Sequence, residues 1–92
     1  MHEYLVERYE PGIGEERLKA DARRLAQVVA AMRRDGAAIE FLSLTFLPAD
    51  EGAFSWLTSA SEELVTTAFE RADIPFERIV EAVPVEVLEE VE

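Results

Sequence analysis

The sequence predicts an α+β fold built on one four-stranded antiparallel sheet. Two stretches carry apolar residues at the three- and four-residue steps of an amphipathic helix, and four shorter stretches are rich in the β-branched and aromatic residues of strands. Their order is strand, helix, strand, strand, helix, strand. Two β-α-β units with right-handed crossovers place both helices on one face of the sheet, so we expect the ferredoxin-like sandwich.

The first β-α unit has clear boundaries. Residues 4–9 place tyrosines and valine around the charged pair Glu7 and Arg8, which predicts the first strand. The apolar residues of 15–34 recur at steps of three and four and form one stripe, which predicts a helix. Its first turn carries acidic residues and its last turn basic ones, as the helix dipole favours. Gly36 is typical of the left-handed residue that follows a helix.

The second and third strands are predicted as a hairpin. Residues 38–47 are apolar on both faces, so we expect neither face to be freely solvated. Residues 48–52 are turn formers, and residues 53–59 return as the third strand.

The last helix and strand follow. Ser59 or Ser61 can cap the helix, which ends before Pro75 because the residue ahead of a proline disfavours helical angles. Residues 78–83 predict the fourth strand, and Pro84 after it indicates an edge position or a bulge.

The sheet face away from the helices must meet water, a ligand or another subunit. If Val6 and Val80 face the helices, twelve side chains lie on the other face. They are Leu5, Glu7, Tyr9, Phe41, Ser43, Thr45, Phe54, Trp56, Thr58, Ile79, Glu81 and Val83. An apolar patch of this kind marks an interface or a binding groove. The sequence therefore predicts a homodimer packed sheet against sheet, a dimeric α/β barrel with a cavity where the packing is incomplete.

Composition narrows the functional classes. Nine basic and 20 acidic residues give a formal net charge of −11, which disfavours nucleic acids and anionic membranes as partners. The absence of cysteine excludes disulfides and thiolate chemistry. The N-terminus lacks signal-peptide features, and no apolar run approaches the ~20 residues of a membrane span. We expect a cytoplasmic protein with one domain, residues 1–92, of which residues 84–92 form an acidic tail.

Two carboxylates are the candidates for acid–base chemistry. Glu7 and Glu81 are expected on neighbouring strands, where a close pair of carboxylates can share a proton. The alternative is that each forms a separate salt bridge, for example with Arg8 or Arg78. The only histidine, His2, has no spacing that supports a metal site.

Aromatic and hydroxyl side chains of the strands are the candidates for binding a flat ligand. The alternative is that the same aromatic residues form a dimer core. The expected pocket residues are Tyr9, Phe41, Ser43, Trp56, Thr58 and Glu81.

The segments YLVE, PGI, LSLTF and RADIPFERIVEAV together resemble a small nickel-binding-type family of ferredoxin-like proteins, over about residues 4–83. The resemblance implies a dimeric protomer with a ligand or metal site on the open sheet. Family members carry histidine at the positions of Ser43 and Ala68, cysteine at Ser55 and glutamate near Thr58. Nickel prefers imidazole and thiolate donors, and this chain has other residues at those positions. We therefore do not assign the nickel site of the family to this chain.

Three functions remain open. We favour a non-enzymatic dimeric binding or structural module with an apolar pocket and no cofactor. The first alternative is a cofactor-free dimeric α/β-barrel enzyme for a small aromatic or polyketide-like substrate. In that enzyme Glu7 or Glu81 is the acid or base, and Ser43 or Thr58 orients the substrate. The second alternative is a divalent-metal binder that uses carboxylates, with nickel suggested by the resemblance alone.

Overall fold

The computed structural model of the chain describes residues 1–89. Its elements follow one another as predicted: β1 (His2–Tyr9), α1 (Glu15–Arg34), β2 (Ile39–Leu47), a short 3-10 turn (Pro48–Asp50), β3 (Gly52–Ser59), α2 (Glu62–Arg71) and β4 (Arg78–Ala82). The strands form one sheet in the order β2-β3-β1-β4, and each neighbouring pair is antiparallel. This is an α+β fold consistent with the expected ferredoxin-like arrangement.

The main core lies between the sheet and both helices. Side chains from the sheet and from both helices are 2% exposed or less, and they include Val6, Leu25, Ile39, Leu57 and Phe69. Full burial of an aliphatic or aromatic side chain of this size contributes about 1.5–3 kcal/mol. Packing against the sheet, more than local propensity, therefore holds the two helices in place.

The helix starts differ in how they are capped. Ser61 caps α2, because its hydroxyl accepts a hydrogen bond from the Leu64 N–H at 3.3 Å. Ser59 instead donates its hydroxyl to the Ser61 carbonyl at 2.8 Å. Of the two serines that were predicted as possible caps, Ser61 is the one that caps α2. Gly14 precedes α1 and supplies no side-chain cap.

A bulge in β2 changes which of its side chains face the helices. Phe41 pairs with Leu57 whereas Ser43 pairs with Trp56, so Leu42 is an extra residue between them. Ile39 and Phe41 before the bulge, and Leu44 and Phe46 after it, all pack on the helix side. The predicted common face for Phe41, Ser43 and Thr45 is therefore wrong for Phe41.

The strand β4 also has the opposite phase from the one predicted. Ile79 pairs with Val6 and packs against the main core, whereas Val80 pairs with Leu5 on the other face. The expectation that Val80 faces the helices is wrong, and with it the placement of Ile79 and Glu81 on the open side. Adjacent apolar residues fit either phase, so the local sequence did not discriminate between them.

The chain leaves the sheet after Ala82. Val83 was predicted on the open face but lies beyond the strand, where it is exposed. The rest of the described tail, 84–89, is exposed as well. Residues 90–92 of the predicted acidic tail lie outside the described residues. Among residues 1–89, no helix is both long and apolar enough to cross a membrane.

A buried ion pair ties α1 to the sheet. Arg8 points from β1 towards the helices and donates to the Asp21 carboxylate at 2.7 Å. Arg24 donates to the other Asp21 oxygen at 3.0 Å, and Arg8 also donates to Glu10 at 3.0 Å. Burial acts to raise the pKa of Asp21, but the hydrogen bonds and charges of Arg8 and Arg24 outweigh it and hold that pKa below its ordinary value.

Candidate binding surface on the open sheet face

The candidate site is the sheet face that neither helix covers, which we call the open face. Its members follow from the strand register, because paired residues in an antiparallel sheet point to the same side. They include Glu3, Leu5, Glu7, Tyr9, Glu40, Ser43, Thr45, Phe54, Trp56, Thr58, Arg78 and Val80. Of the residues predicted for the ligand pocket, Tyr9, Ser43, Trp56 and Thr58 are on this face.

The middle of the open face is aromatic and apolar. Trp56 lies between Leu5 on β1 and Ser43 on β2. Phe54, two residues before Trp56, meets the Tyr9 ring edge to face, with centroids 6.2 Å apart. Leu5, Phe54 and Trp56 are each partly exposed in the single chain. They form a contiguous surface onto which an apolar partner can pack.

A polar cluster occupies one end of this surface. The Glu7 carboxylate accepts a hydrogen bond from Arg78 Nε at 2.6 Å and another from the Tyr9 hydroxyl at 3.3 Å. Glu7 is only 8% exposed, although the Arg78 side chain extends into solvent. Desolvation and the neighbouring Glu7 charge raise the pKa of Tyr9. The alternative prediction, that Glu7 forms a salt bridge with Arg78, is confirmed.

Glu7 and Glu81 do not form a shared acid–base site. Glu81 pairs with Tyr4, a core residue on the helix side, whereas Glu7 is on the open face. Glu81 instead lies 3.6 Å from the His2 ring nitrogen, and its side chain is half exposed. The two glutamates are on neighbouring strands as predicted, but the prediction that they share the open face is wrong. Phe41 and Glu81 likewise cannot line a pocket together with Trp56.

A row of three acceptors crosses the other end of the open face. Thr58 on β3 pairs with Glu3 on one side and with Glu40 on the other. The Thr58 hydroxyl oxygen is shielded from solvent and has no hydrogen-bond partner among residues 1–89. A buried hydroxyl without a partner costs roughly 1–3 kcal/mol. The Glu40 side chain is half exposed, and its carboxylate lies 4.0 Å from Arg33 of α1. Sequence spacing missed the row because it depends on register across three strands.

The positions that correspond to nickel ligands in the resembling family do not converge. Ser43 faces the open side, whereas Ser55 pairs with Val6 on the helix side. Ala68 is fully buried in the core. In the part of the chain that the structure describes, no group of three His, Cys, Asp or Glu side chains could hold a metal ion. The residues present therefore do not fit a nickel site.

A small internal cavity lies on the other side of the sheet. It has a volume of about 20 Å³ and is lined by Arg8, Asp21 and Ser55 together with apolar core residues. Arg8 Nε is buried without a partner in the described chain. A cavity of this size holds about one water molecule, which would satisfy that nitrogen. We therefore assign it to the fold and not to ligand binding.

Comparison with known proteins supports the fold. The chain is similar to the protein SCO4226 from Streptomyces coelicolor A3(2), whose crystal structure superposes with a TM-score of 0.73 at 21% sequence identity. The match covers 92% of this chain and 99% of the other. No protein-family model and no curated protein matches the sequence. At this level of identity the likeness is one of fold, and function has to be argued from the open face.

Proposed function

We propose that the protein is a homodimeric binding module that holds a small organic molecule between two open faces. The observation that carries the proposal is the surface formed by Leu5, Phe54 and Trp56, which no helix of residues 1–89 covers. Contiguous exposed apolar side chains with polar groups at their edges are typical of an interface or a ligand groove.

The size of the face sets the expected strength of the dimer. Four strands at about 4.8 Å spacing and about 26 Å length give a face of roughly 500 Å². Two such faces total about 1,000 Å², which is below the roughly 1,200–2,000 Å² that stable complexes bury. Each chain also carries a net charge of −11, so two copies repel each other. We therefore expect a weak dimer that becomes tighter as salt screens this repulsion.

Sedimentation velocity of matched variants tests the dimer. Leu5→Glu introduces a charge in the middle of the open face, whereas Ala20→Glu introduces the same charge on the exposed surface of α1. We expect the wild type and Ala20→Glu to dimerise at micromolar concentrations and Leu5→Glu to stay monomeric with an unchanged circular dichroism spectrum. A wild type that stays monomeric at high protein and salt concentration would contradict the proposal.

A cofactor-free enzyme is the second candidate, and the Glu7–Tyr9 pair favours it. A buried carboxylate beside a tyrosine hydroxyl can take part in proton transfer, and Ser43 and Thr58 share their face. The test is deuterium exchange at the carbon between the carbonyls of a small β-keto ester, followed by NMR. General-base catalysis requires faster exchange with the wild type than with Glu7→Gln. Equal rates would leave the binding module as the function.

A further inference from the structure

The C-terminal segment, residues 83–89, carries apolar side chains that the rest of the described chain does not cover. Four of them are aliphatic and at least 73% exposed: Val83, Val85, Val87 and Leu88. Glu86 and Glu89 lie among them. A short segment of alternating aliphatic and charged residues is typical of a strand that adds to the sheet edge of another chain.

The edge of β2 has a groove of complementary chemistry. β2 is an outer strand of the sheet, and it meets α1 in a groove that is apolar along its length and basic where α1 ends. The lining residues include Ala26, Val29, Ala30, Arg33, Arg34 and Phe41. Among residues 1–89, Arg34 forms no ion pair, and Arg33 reaches only Glu40, at 4.0 Å. A partner with a carboxylate beside an aliphatic side chain would therefore fit this groove.

We propose that the C-terminal segment of a second copy of this chain lies along the edge of β2 in this groove. Glu86 of that copy pairs with Arg34, and Leu88 packs against Ala30. In a symmetric dimer each subunit gives its segment to the other, so the contact occurs twice. This inference rests on the proposed dimer and adds a second contact to it.

The strand ends explain why the occupant comes from the partner. Ala82 pairs with Glu3 at the end of β4. Thr58 pairs with Glu3 on one side and with Glu40 on the other, so the end of β4 and the start of β2 lie at the same end of the sheet. Within one chain they are about 14 Å apart, and the segment is exposed instead of crossing that distance.

A face-to-face dimer brings the two parts closer. A twofold axis parallel to the strands places each β4 over the partner's β2, with the sheets about 10 Å apart. Three extended residues span about that distance, so Val83 to Val85 form the crossing. Glu86 is then the first acidic residue of the segment to reach the groove.

The spacing of the segment matches that of the groove. Side chains on one side of an extended segment are about 7 Å apart, which separates Glu86 from Leu88. On α1, Ala30 lies about one turn before Arg34, which is about 6 Å along the helix axis. The segment therefore presents an acid and an aliphatic side chain at the separation of the arginine and the alanine.

The exchange also supplies area that the open faces lack. Seven extended residues are about 23 Å long and cover a strip about 4.8 Å wide. Counted on both partners and for both segments, this adds roughly 400 Å² to the contact of the two open faces. The total then reaches the range of roughly 1,200–2,000 Å² that stable complexes bury.

Sedimentation velocity of charge-reversed full-length chains tests the contact. Arg34→Glu reverses a charge in the groove, whereas Arg71→Glu reverses one at the exposed end of α2. Because the contact occurs twice, we expect Arg34→Glu to weaken dimerisation roughly fivefold to tenfold more than Arg71→Glu. Adding Glu86→Arg should restore the dimer of Arg34→Glu but not that of Arg71→Glu, although both double variants keep the wild-type net charge. Equal effects of the two reversals, or no restoration, would overturn the inference.

A disulfide distinguishes exchange between chains from docking within one chain. The sequence has no cysteine, so Ala30→Cys combined with Leu88→Cys introduces the only two thiols. Oxidised glutathione should convert this variant into a covalent dimer. Ala20→Cys combined with Leu88→Cys, with its first thiol on α1 outside the groove, should give much less. A disulfide within one chain, or equal yields of covalent dimer from the two variants, would contradict the exchange.

The outcomes separate this inference from the proposed function. If the wild type dimerises and Arg34→Glu behaves like Arg71→Glu, the open-face dimer stands and the exchange of segments is overturned. If the wild type stays monomeric at high protein and salt concentration, both are overturned.

Discussion

Replacing Asp21 with asparagine should destabilise the fold more than any surface change of similar size. The carboxylate is 7% exposed and accepts hydrogen bonds from Arg8 and Arg24. Asparagine has the same shape, but it removes the negative charge and turns an amide N–H₂ or a neutral oxygen towards two guanidinium groups. The Arg8 side chain is only 6% exposed, so its charge would lose a main partner without gaining water.

The magnitude follows from this burial. Breaking a buried ion pair by removing one partner costs about 3–5 kcal/mol, since the remaining charge is left uncompensated. A chain of 92 residues has a total free energy of unfolding of about 5–14 kcal/mol. Asp21→Asn should therefore remove a large share of the stability. Glu10 still accepts from Arg8, which places the expected cost near the lower end of the range.

Urea unfolding followed by Trp56 fluorescence measures this cost, and a double-mutant cycle assigns it. Arg8→Met alone should also be strongly destabilising, but Asp21→Asn combined with Arg8→Met should cost at least 1 kcal/mol less than the two single changes together. Glu10→Gln, at a more exposed partner of Arg8, provides a milder variant if Asp21→Asn fails to fold. The reasoning is refuted if Asp21→Asn costs less than about 1 kcal/mol or if the two changes are additive.

The same carboxylate makes stability depend on pH in the acid range. The pKa of Asp21 is lower in the folded chain than its ordinary value of 3.8, so the unfolded chain binds the proton more readily. The stabilisation is therefore complete above the unfolded pKa and is lost as the pH falls through the folded pKa. Urea melts from neutral pH into the acid range should show a steeper loss for the wild type than for Asp21→Asn. Parallel curves would exclude Asp21 as a source of the acid sensitivity.

Three further substitutions test the packing of the sheet and the capping of α1. Leu57→Ala, at a fully buried position in β3, should lower the free energy of unfolding by about 2–5 kcal/mol in urea melts, and a smaller cost would mean that the core relaxes around the gap. Gly52→Ala would place its Cβ 2.8 Å from the Tyr9 ring and 3.1 Å from the Arg8 carbonyl oxygen, so we expect about 1–3 kcal/mol of destabilisation and a shifted Tyr9 NMR signal. Gly14→Ser supplies the hydroxyl that the start of α1 lacks and should raise the free energy of unfolding by roughly a few tenths of a kcal/mol in urea melts; no gain would mean that the serine does not cap.

The order and type of the elements were predictable because their periodicity is local. By contrast, the sequence did not predict which side chains of β2 and β4 face the helices. In β2 the bulge at Leu42 lets apolar residues from both alternating sets reach the core, which a strict two-residue period excludes. In β4, Ile79 and Val80 are equally apolar, and the phase is set by pairing with β1. Strand phase thus depended on long-range pairing that the sequence pattern does not encode.

Some polar contacts were also predictable from the sequence, and others were not. The Glu7–Arg78 bridge was foreseen as an alternative because both residues were expected on neighbouring strands. The Arg8–Asp21 pair was missed, although one signal was present: Asp21 lies three residues after Leu18 and four before Leu25, on the apolar stripe of α1. A charged residue on such a stripe indicates a buried partner. The Glu3–Thr58–Glu40 row left no signal within any single strand.

The acidic residues of the open face also bear on the proposed dimer. If two open faces pack without a ligand, Glu3 and Glu40 are partly desolvated beside a hydroxyl that already lacks a partner, and each such group opposes association. A ligand that compensates the charge of these carboxylates would remove part of that cost. A ligand that binds the dimer more tightly than the monomer must strengthen the dimer by the same factor. The carboxylates at the edge of the open face therefore weaken a ligand-free interface, and a ligand that pairs with them would favour the dimer.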